Sequence, residues 1–266
     1  MSRSIQVQVN KTYFSLRWAA AIIGYAFPLI LWIGGHIAGF GLRDSMSAYY
    51  YAYYRSPTNY SLVKNDTPCD QLTTEQMNMV PEAGSLRDEF VGLLFAIGTV
   101  LYVNKGHTDK ENILLNLAGV FACGIALFPM PWKCEPKGPF TPHGTFAILF
   151  FISIASILIF CSKDTVDYLP KDKRTFYYRW YYALAAVMVA SPLLAWAANE
   201  SLLGKKSYTF GIEFFGIYAF GTYWVVKTRE IKEIQRHQSV VKVPISTKAV
   251  PSGGVHEEAV PETEFF

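Results

Sequence analysis

Apolar residues along the chain gather into six blocks, separated by short segments that hold nearly all the Lys, Arg, Asp and Glu. The blocks run Trp18 to Phe40, Phe90 to Val103, Ile113 to Pro129, His143 to Cys161, Trp180 to Ala198 and Tyr208 to Val226. Crossing a hydrocarbon core of about 30 Å takes about 20 helical residues, and five of the six blocks approach that length. The second falls short on its own. To reach the same length its helix must begin near Gly84, which draws Arg87, Asp88 and Glu89 to the depth of one leaflet. The pattern predicts an all-α polytopic membrane protein, a six-transmembrane-helix bundle. It has three parts: an N-terminal segment 1–17, a transmembrane domain 18–228 with an outer loop at 41–83, and a tail at 229–266.

Composition narrows the class. Only 17% of the 266 residues are charged and 51% are apolar, whereas soluble domains carry roughly a quarter charged residues. A soluble enzyme is excluded on that ground. The net charge of +3 is small and its basic residues are scattered, which excludes nucleic acid as a partner. Basic residues accumulate on the cytoplasmic side of membrane proteins. Of the 24 Lys and Arg, sixteen fall on the side of the two termini and eight in the three opposite loops. Both termini are therefore expected to be cytoplasmic. A cleaved signal peptide is the competing reading of the first block, but its apolar run is longer than a signal core and cleavage would leave five spans.

Outside the spans, the loop at 41–83 reads as a cap rather than a domain. Cys69 in this loop and Cys134 in the next outer loop share a compartment where disulfides persist, and they are expected to pair. Cys123 and Cys161 lie within spans and read as small packing residues. Sequons at Asn59, Asn65 and Asn199 all fall on the outer side. Tyr49, Tyr50, Tyr51, Tyr53 and Tyr54, like Tyr177 to Tyr182 at the start of the fifth block, are expected to anchor at the headgroup level. The tail after His237 lacks helical periodicity and reads as disordered.

Ionisable groups inside spans cost about 2.5 to 3.5 kcal/mol each on insertion scales, so each needs a partner or a purpose. His36 lies near the outer end of the first span. Arg87 and Asp88 open the second, His143 opens the fourth, and Glu213 sits early in the sixth. All share the outer leaflet. In one reading His36, His143, Asp88 and Glu213, with Arg87 and Ser47, converge on an outward polar pocket that holds a lipid headgroup or a divalent metal, since two imidazoles and two carboxylates form an acceptable zinc set. In the other, the same residues fix helix packing, and Ser45, Ser47 and Asp44 cap a helix end. Asn116, with Ala118 and Gly119, reads as a helix-packing site where small residues let the amide bond across. No nucleophile motif such as GxSxG and no HExxH spacing occurs.

The order of these features resembles the DRAM/Sfk/FRAG-type six-helix membrane proteins, which include autophagy modulators, phosphoinositide regulators and GPI-lipid remodelling factors. The resemblance rests on five features: the segment Ser45-Met46-Ser47-Ala48-Tyr49 after the first span, a short second span ending in a basic turn, Asn116 with Ala118 and Gly119 in the third, His143 opening the fourth, and Glu213-Phe214 in the sixth. Tyr50 departs from the glycine that the family carries three residues after the serine. The resemblance implies a lipid-associated protein of the plasma membrane or an endomembrane. The functional expectation is binding or presenting a lipid headgroup, or modulating another membrane protein that handles lipid. The alternatives are a membrane-embedded, metal-dependent or metal-free, lipid hydrolase or acyltransferase, and a small-solute transporter.

Overall fold

The computed structural model describes residues 3–37, 42–43, 45–51, 86–131, 141–199 and 207–241. Six long helices carry these residues: α1 (Arg3–Ile37), α2 (Leu86–Val103), α3 (Asp109–Leu127), α4 (Pro142–Ser156), α5 (Lys171–Asn199) and α6 (Ser207–Val241). A short 3-10 turn, Met46–Tyr51, follows α1. The fourth helix relaxes into one π turn, Ile157–Cys161, and closes with Lys163–Val166. Among the described residues there is no strand.

Each apolar block falls on one helix, but several helices outrun their blocks. The first begins at Arg3, so most of the N-terminal segment continues α1, and the last runs to Val241, into what the sequence reads as tail. Charged residues end a hydropathic window without ending a helix. Three helical stretches are long and apolar enough to cross a membrane: Gln8–Ile37, Asp109–Leu127 and Pro142–Val166. The other three are diluted, α2 by Arg87, Asp88 and Glu89 in its first turn and α5 and α6 by tyrosines and flanking charge. Acidic groups favour the positive end of a helix, which accounts for Asp88 and Glu89 at that point.

Each helix packs against its neighbours in the chain, and α1 closes the ring against α6. The interior is filled by Phe27, Phe90, Ile97, Phe150, Ile154, Met188 and Phe220. Two glycines bring α2 and α3 together backbone to backbone. A Cβ on Gly98 would stand 2.8 Å from the Gly119 carbonyl, and one on Gly119 would stand 2.7 Å from the Gly98 carbonyl. Gly119 is thus the packing residue of that site. Asn116 leaves Oδ1 without a hydrogen-bond partner, so the helices meet through glycine without help from the amide. The outward surface stays apolar, with Ile22, Ile33, Phe160, Leu193 and Phe215 exposed.

The tyrosines correct an expectation. Tyr49 and Tyr50 are buried in the bundle instead of lying along an interface, and Tyr177 and Tyr181 turn inward while Trp180 and Tyr182 face out. A spacing of four places Tyr177 and Tyr181 on one helix face, with Leu184, Ala185 and Met188 continuing the buried stripe. Cys161 is buried and Cys123 half-buried, both as free thiols. Cys69 and Cys134, the sequons at Asn59 and Asn65, Tyr53, Tyr54 and the tail beyond Val241 lie outside the described residues.

Candidate functional site

Both ends of the ring carry buried polar groups, and the C-terminal end of α1 carries the site that the sequence points to. Thr141 caps α4, accepting a hydrogen bond from the Gly144 amide at 3.1 Å, and Pro142 begins the helix. Threonine at the cap and proline at the first position are a strong helix start. They set His143 in the first turn, 7% exposed. Phe128 ends α3, where helix carbonyls lack an intrahelical donor. Its oxygen lies 2.8 Å from His143 Nδ1.

A carbonyl only accepts, so Nδ1 carries the proton and Nε2 presents a lone pair. Ser47 Oγ lies 2.7 Å from that Nε2 and donates to it. Behind the serine, the Ser47 amide donates to Ser45 Oγ at 3.1 Å. Ser45 Oγ donates to Glu213 Oε1 at 3.0 Å, and the Met46 amide donates to Glu213 Oε2 at 2.7 Å. Glu213, reaching across from α6, therefore holds the 3-10 turn through two donors, and the turn holds Ser47 against His143. Gly35 makes room on α1: a Cβ there would meet the Tyr49 ring at 2.3 Å. Tyr49 fills that space, with its hydroxyl accepting from the Arg43 amide at 3.4 Å.

In a 3-10 turn residues three apart eclipse, which puts Tyr50 on the same edge as Ser47. Phe90 is stacked on His143, with centroids 6.4 Å apart, and meets Tyr50 edge-on. The exposed Arg87 guanidinium stands 5.8 Å from the centre of the Tyr50 ring. The structure thus brings Glu213, Ser47 and His143 into one hydrogen-bonded chain and sets Arg87 at its rim. His36 and Asp88 are exposed and make no hydrogen bond or ion pair among the described residues. The four residues of the zinc reading are not gathered into one ligand set. Among the described residues no three of His, Cys, Asp and Glu come together as metal ligands. Asp44 lies outside the described residues.

The opposite end holds a second cluster, of charged residues that hydropathy alone does not single out. Arg17, Glu111, Lys227 and Glu230 are each 1% exposed or less. Lys227 pairs with Glu230 at 3.3 Å and donates to Thr165 Oγ1. Glu230 also accepts from the Tyr181 hydroxyl. Arg17 donates to the Tyr13 hydroxyl and lies 4.1 Å from the centre of that ring. Glu111, three residues after the Thr108 cap of α3, reaches back to accept from the His107 amide at 2.8 Å. The signal for this cluster was available. On α6 the buried face continues at helical spacing from Phe220 and Trp224 through Lys227, Ile231 and Ile234. Several atoms here lack partners, among them Asn104 Oδ1 and Nδ2, Arg17 Nε and Glu230 Oε1.

His107 flanks this cluster with its Nε2 3.5 Å from the Tyr13 hydroxyl. Desolvation by the packed groups around it, and then the Lys227 and Arg17 cations, push its pKa from 6.5 to about 4, although the residue as a whole stays exposed. At neutral pH it is therefore uncharged.

No protein-family model, no curated protein and no solved structure matches the chain.

Proposed function

We propose that the chain is a six-span membrane protein with both termini cytoplasmic, whose outward end receives the headgroup of a membrane lipid. The observation that carries this reading is the Glu213–Ser45–Ser47–His143 chain, tied into a turn beside the exposed cation of Arg87. Buried ionisable groups at membrane depth are expensive and are usually put to use. An exposed cation near an aromatic ring on the same edge as the serine suits a phosphate-bearing headgroup. Apolar side chains exposed on every flank, Leu193 on α5 and Phe215 on α6 included, support the same spanning role for the helices diluted by tyrosine. A transporter fits less well. Between Glu213 and Lys227 the α6 face packs Gly216, Ala219, Phe220 and Trp224 into the interior with few polar groups, the Tyr223 hydroxyl and, from α5, Ser191 among them, and a solute path needs polar lining through both leaflets.

Native mass spectrometry of the detergent-purified protein, wild type beside Arg87→Ala and Glu213→Gln, tests the reading. Wild type is expected to retain an anionic phospholipid at one per chain. Arg87→Ala is expected to lose it while keeping its melting temperature, and Glu213→Gln to lose it as the turn loosens. A wild-type chain that retains no lipid, or an Arg87→Ala chain that retains as much, overturns it.

A further inference from the structure

We infer that Ser47 and His143 form a nucleophile–base pair that cleaves or transfers the acyl ester of an anionic amphiphile; this inference rests on the lipid-binding reading of the same site. Three features set the pair apart from an ordinary serine–histidine contact. The hydrogen bond runs from Ser47 Oγ to Nε2 at 2.7 Å, the direction a general base requires. The other ring nitrogen is held by the Phe128 carbonyl at 2.8 Å, which fixes the tautomer and steadies the ring when it becomes charged. The serine itself is carried on a turn pinned by Glu213 through Ser45 and Met46, so its backbone is held in place against the histidine. Ser47 is only half-buried, whereas His143 behind it is enclosed.

The step balances without a further reagent. Ser47 Oγ attacks the ester carbonyl carbon as its proton passes to His143 Nε2. The carbon–oxygen bond to the leaving alcohol then breaks, and Nε2 returns the proton to that alkoxide. The products are a free alcohol and an acyl group on Ser47. Water, or the hydroxyl of a second lipid, gives its proton to Nε2 and attacks the acyl carbon. The bond from that carbon to Ser47 Oγ then breaks as Nε2 returns the proton to Oγ, which releases a carboxylic acid or a new ester and restores the serine. Arg87 holds the anionic headgroup at the rim. Glu213 acts as a positioning residue, since it reaches the serine only through the turn.

Full-length protein in detergent, treated with a long-chain alkyl fluorophosphonate and mapped by peptide mass spectrometry, tests the chemistry directly. An adduct on Ser47 is expected, formed at least about 100-fold more slowly in His143→Gln, in line with the roughly 10²–10⁴-fold contribution of a general base. Should His143→Gln fail to fold, Ser47→Ala carries the test: wild type is expected to release fatty acid from phosphatidylglycerol in mixed micelles, and the variant to release none. No adduct on wild type, an adduct on another serine alone, an undiminished rate in folded His143→Gln, or equal fatty-acid release by Ser47→Ala overturns the inference. If the adduct is absent yet wild type retains a phospholipid that Arg87→Ala loses, the chemistry fails and the binding reading stands. If neither is seen, both fail.

Discussion

Lys227 and Glu230 show how much a position's meaning depends on the face it occupies. Both follow the last apolar block, where charge ordinarily means solvent, yet both are enclosed and paired. Removing one member of such a pair strands the other without water, at a cost of about 3–5 kcal/mol, whereas exchanging both for apolar groups of similar volume is often neutral. Glu230→Ala is therefore expected to lower the unfolding midpoint strongly in a detergent melt, and Lys227→Met with Glu230→Leu to restore most of it. Equal losses in single and double variants would show that the pair is not the cause. His107 gives a second test at this scale. In the unfolded chain the ring takes up a proton near pH 6.5, and in the folded chain only near 4. Between those values the unfolded state binds more protons, so the folded protein loses stability as pH falls through the window and is unaffected above it. His107→Gln is expected to flatten that acid slope, which melting temperatures at pH 7, 5.5 and 4.5 would reveal. The sequence displayed Glu213 and His143 because each stands among apolar neighbours. It hid Lys227 and Glu230 because each stands among other charges, and Arg17 because it falls one residue before the first apolar block; it placed His36 and Asp88 by depth alone, which says nothing about the direction a helix faces.

At the scale of elements, hydropathy located each helix but not its ends. An apolar window stops at the first cluster of charges, while the backbone of α1 and α6 runs on past the buried face, through the exposed residues 8–12 and 235–238. The contact between α2 and α3 is set by geometry more than by propensity. With backbone oxygens within 2.8 Å of a built Cβ on either glycine, neither side can yield as a flexible side chain would. Gly98→Ala and Gly119→Ala are each expected to destabilise the bundle by about 1–3 kcal/mol, the usual cost of overpacking. Gly92 on α2 has nothing within 4 Å of its Cβ position. Gly92→Ala should leave the detergent melt unchanged or slightly raised, because alanine favours the helix by about 1 kcal/mol. A loss at Gly92 equal to that at Gly98 would contradict the proposed contact. The π turn at Ile157–Cys161 had no counterpart in the sequence reading, since its residues are as apolar as those of an ordinary helix.

For the whole molecule, the ring order follows chain order, so successive helices alternate in direction and the two polar clusters occupy opposite ends. Single-cysteine reporters near residues 8 and 237, introduced on a background lacking the native thiols, are expected to react with an impermeant maleimide only in inverted vesicles. Reaction of one in each vesicle orientation would remove the six-span reading.

The Glu213 and Lys227 layers stand fourteen residues apart on one helix, about 21 Å at 1.5 Å per residue, with Phe150 and Phe220 in contact between them. That spacing has an electrical consequence. The two rings carry no group that takes up or passes a proton, so the contact between them lays an insulating step between the two charged layers. Charge gained or lost in one cluster is then felt only weakly in the other, and the two act as separate electrical units.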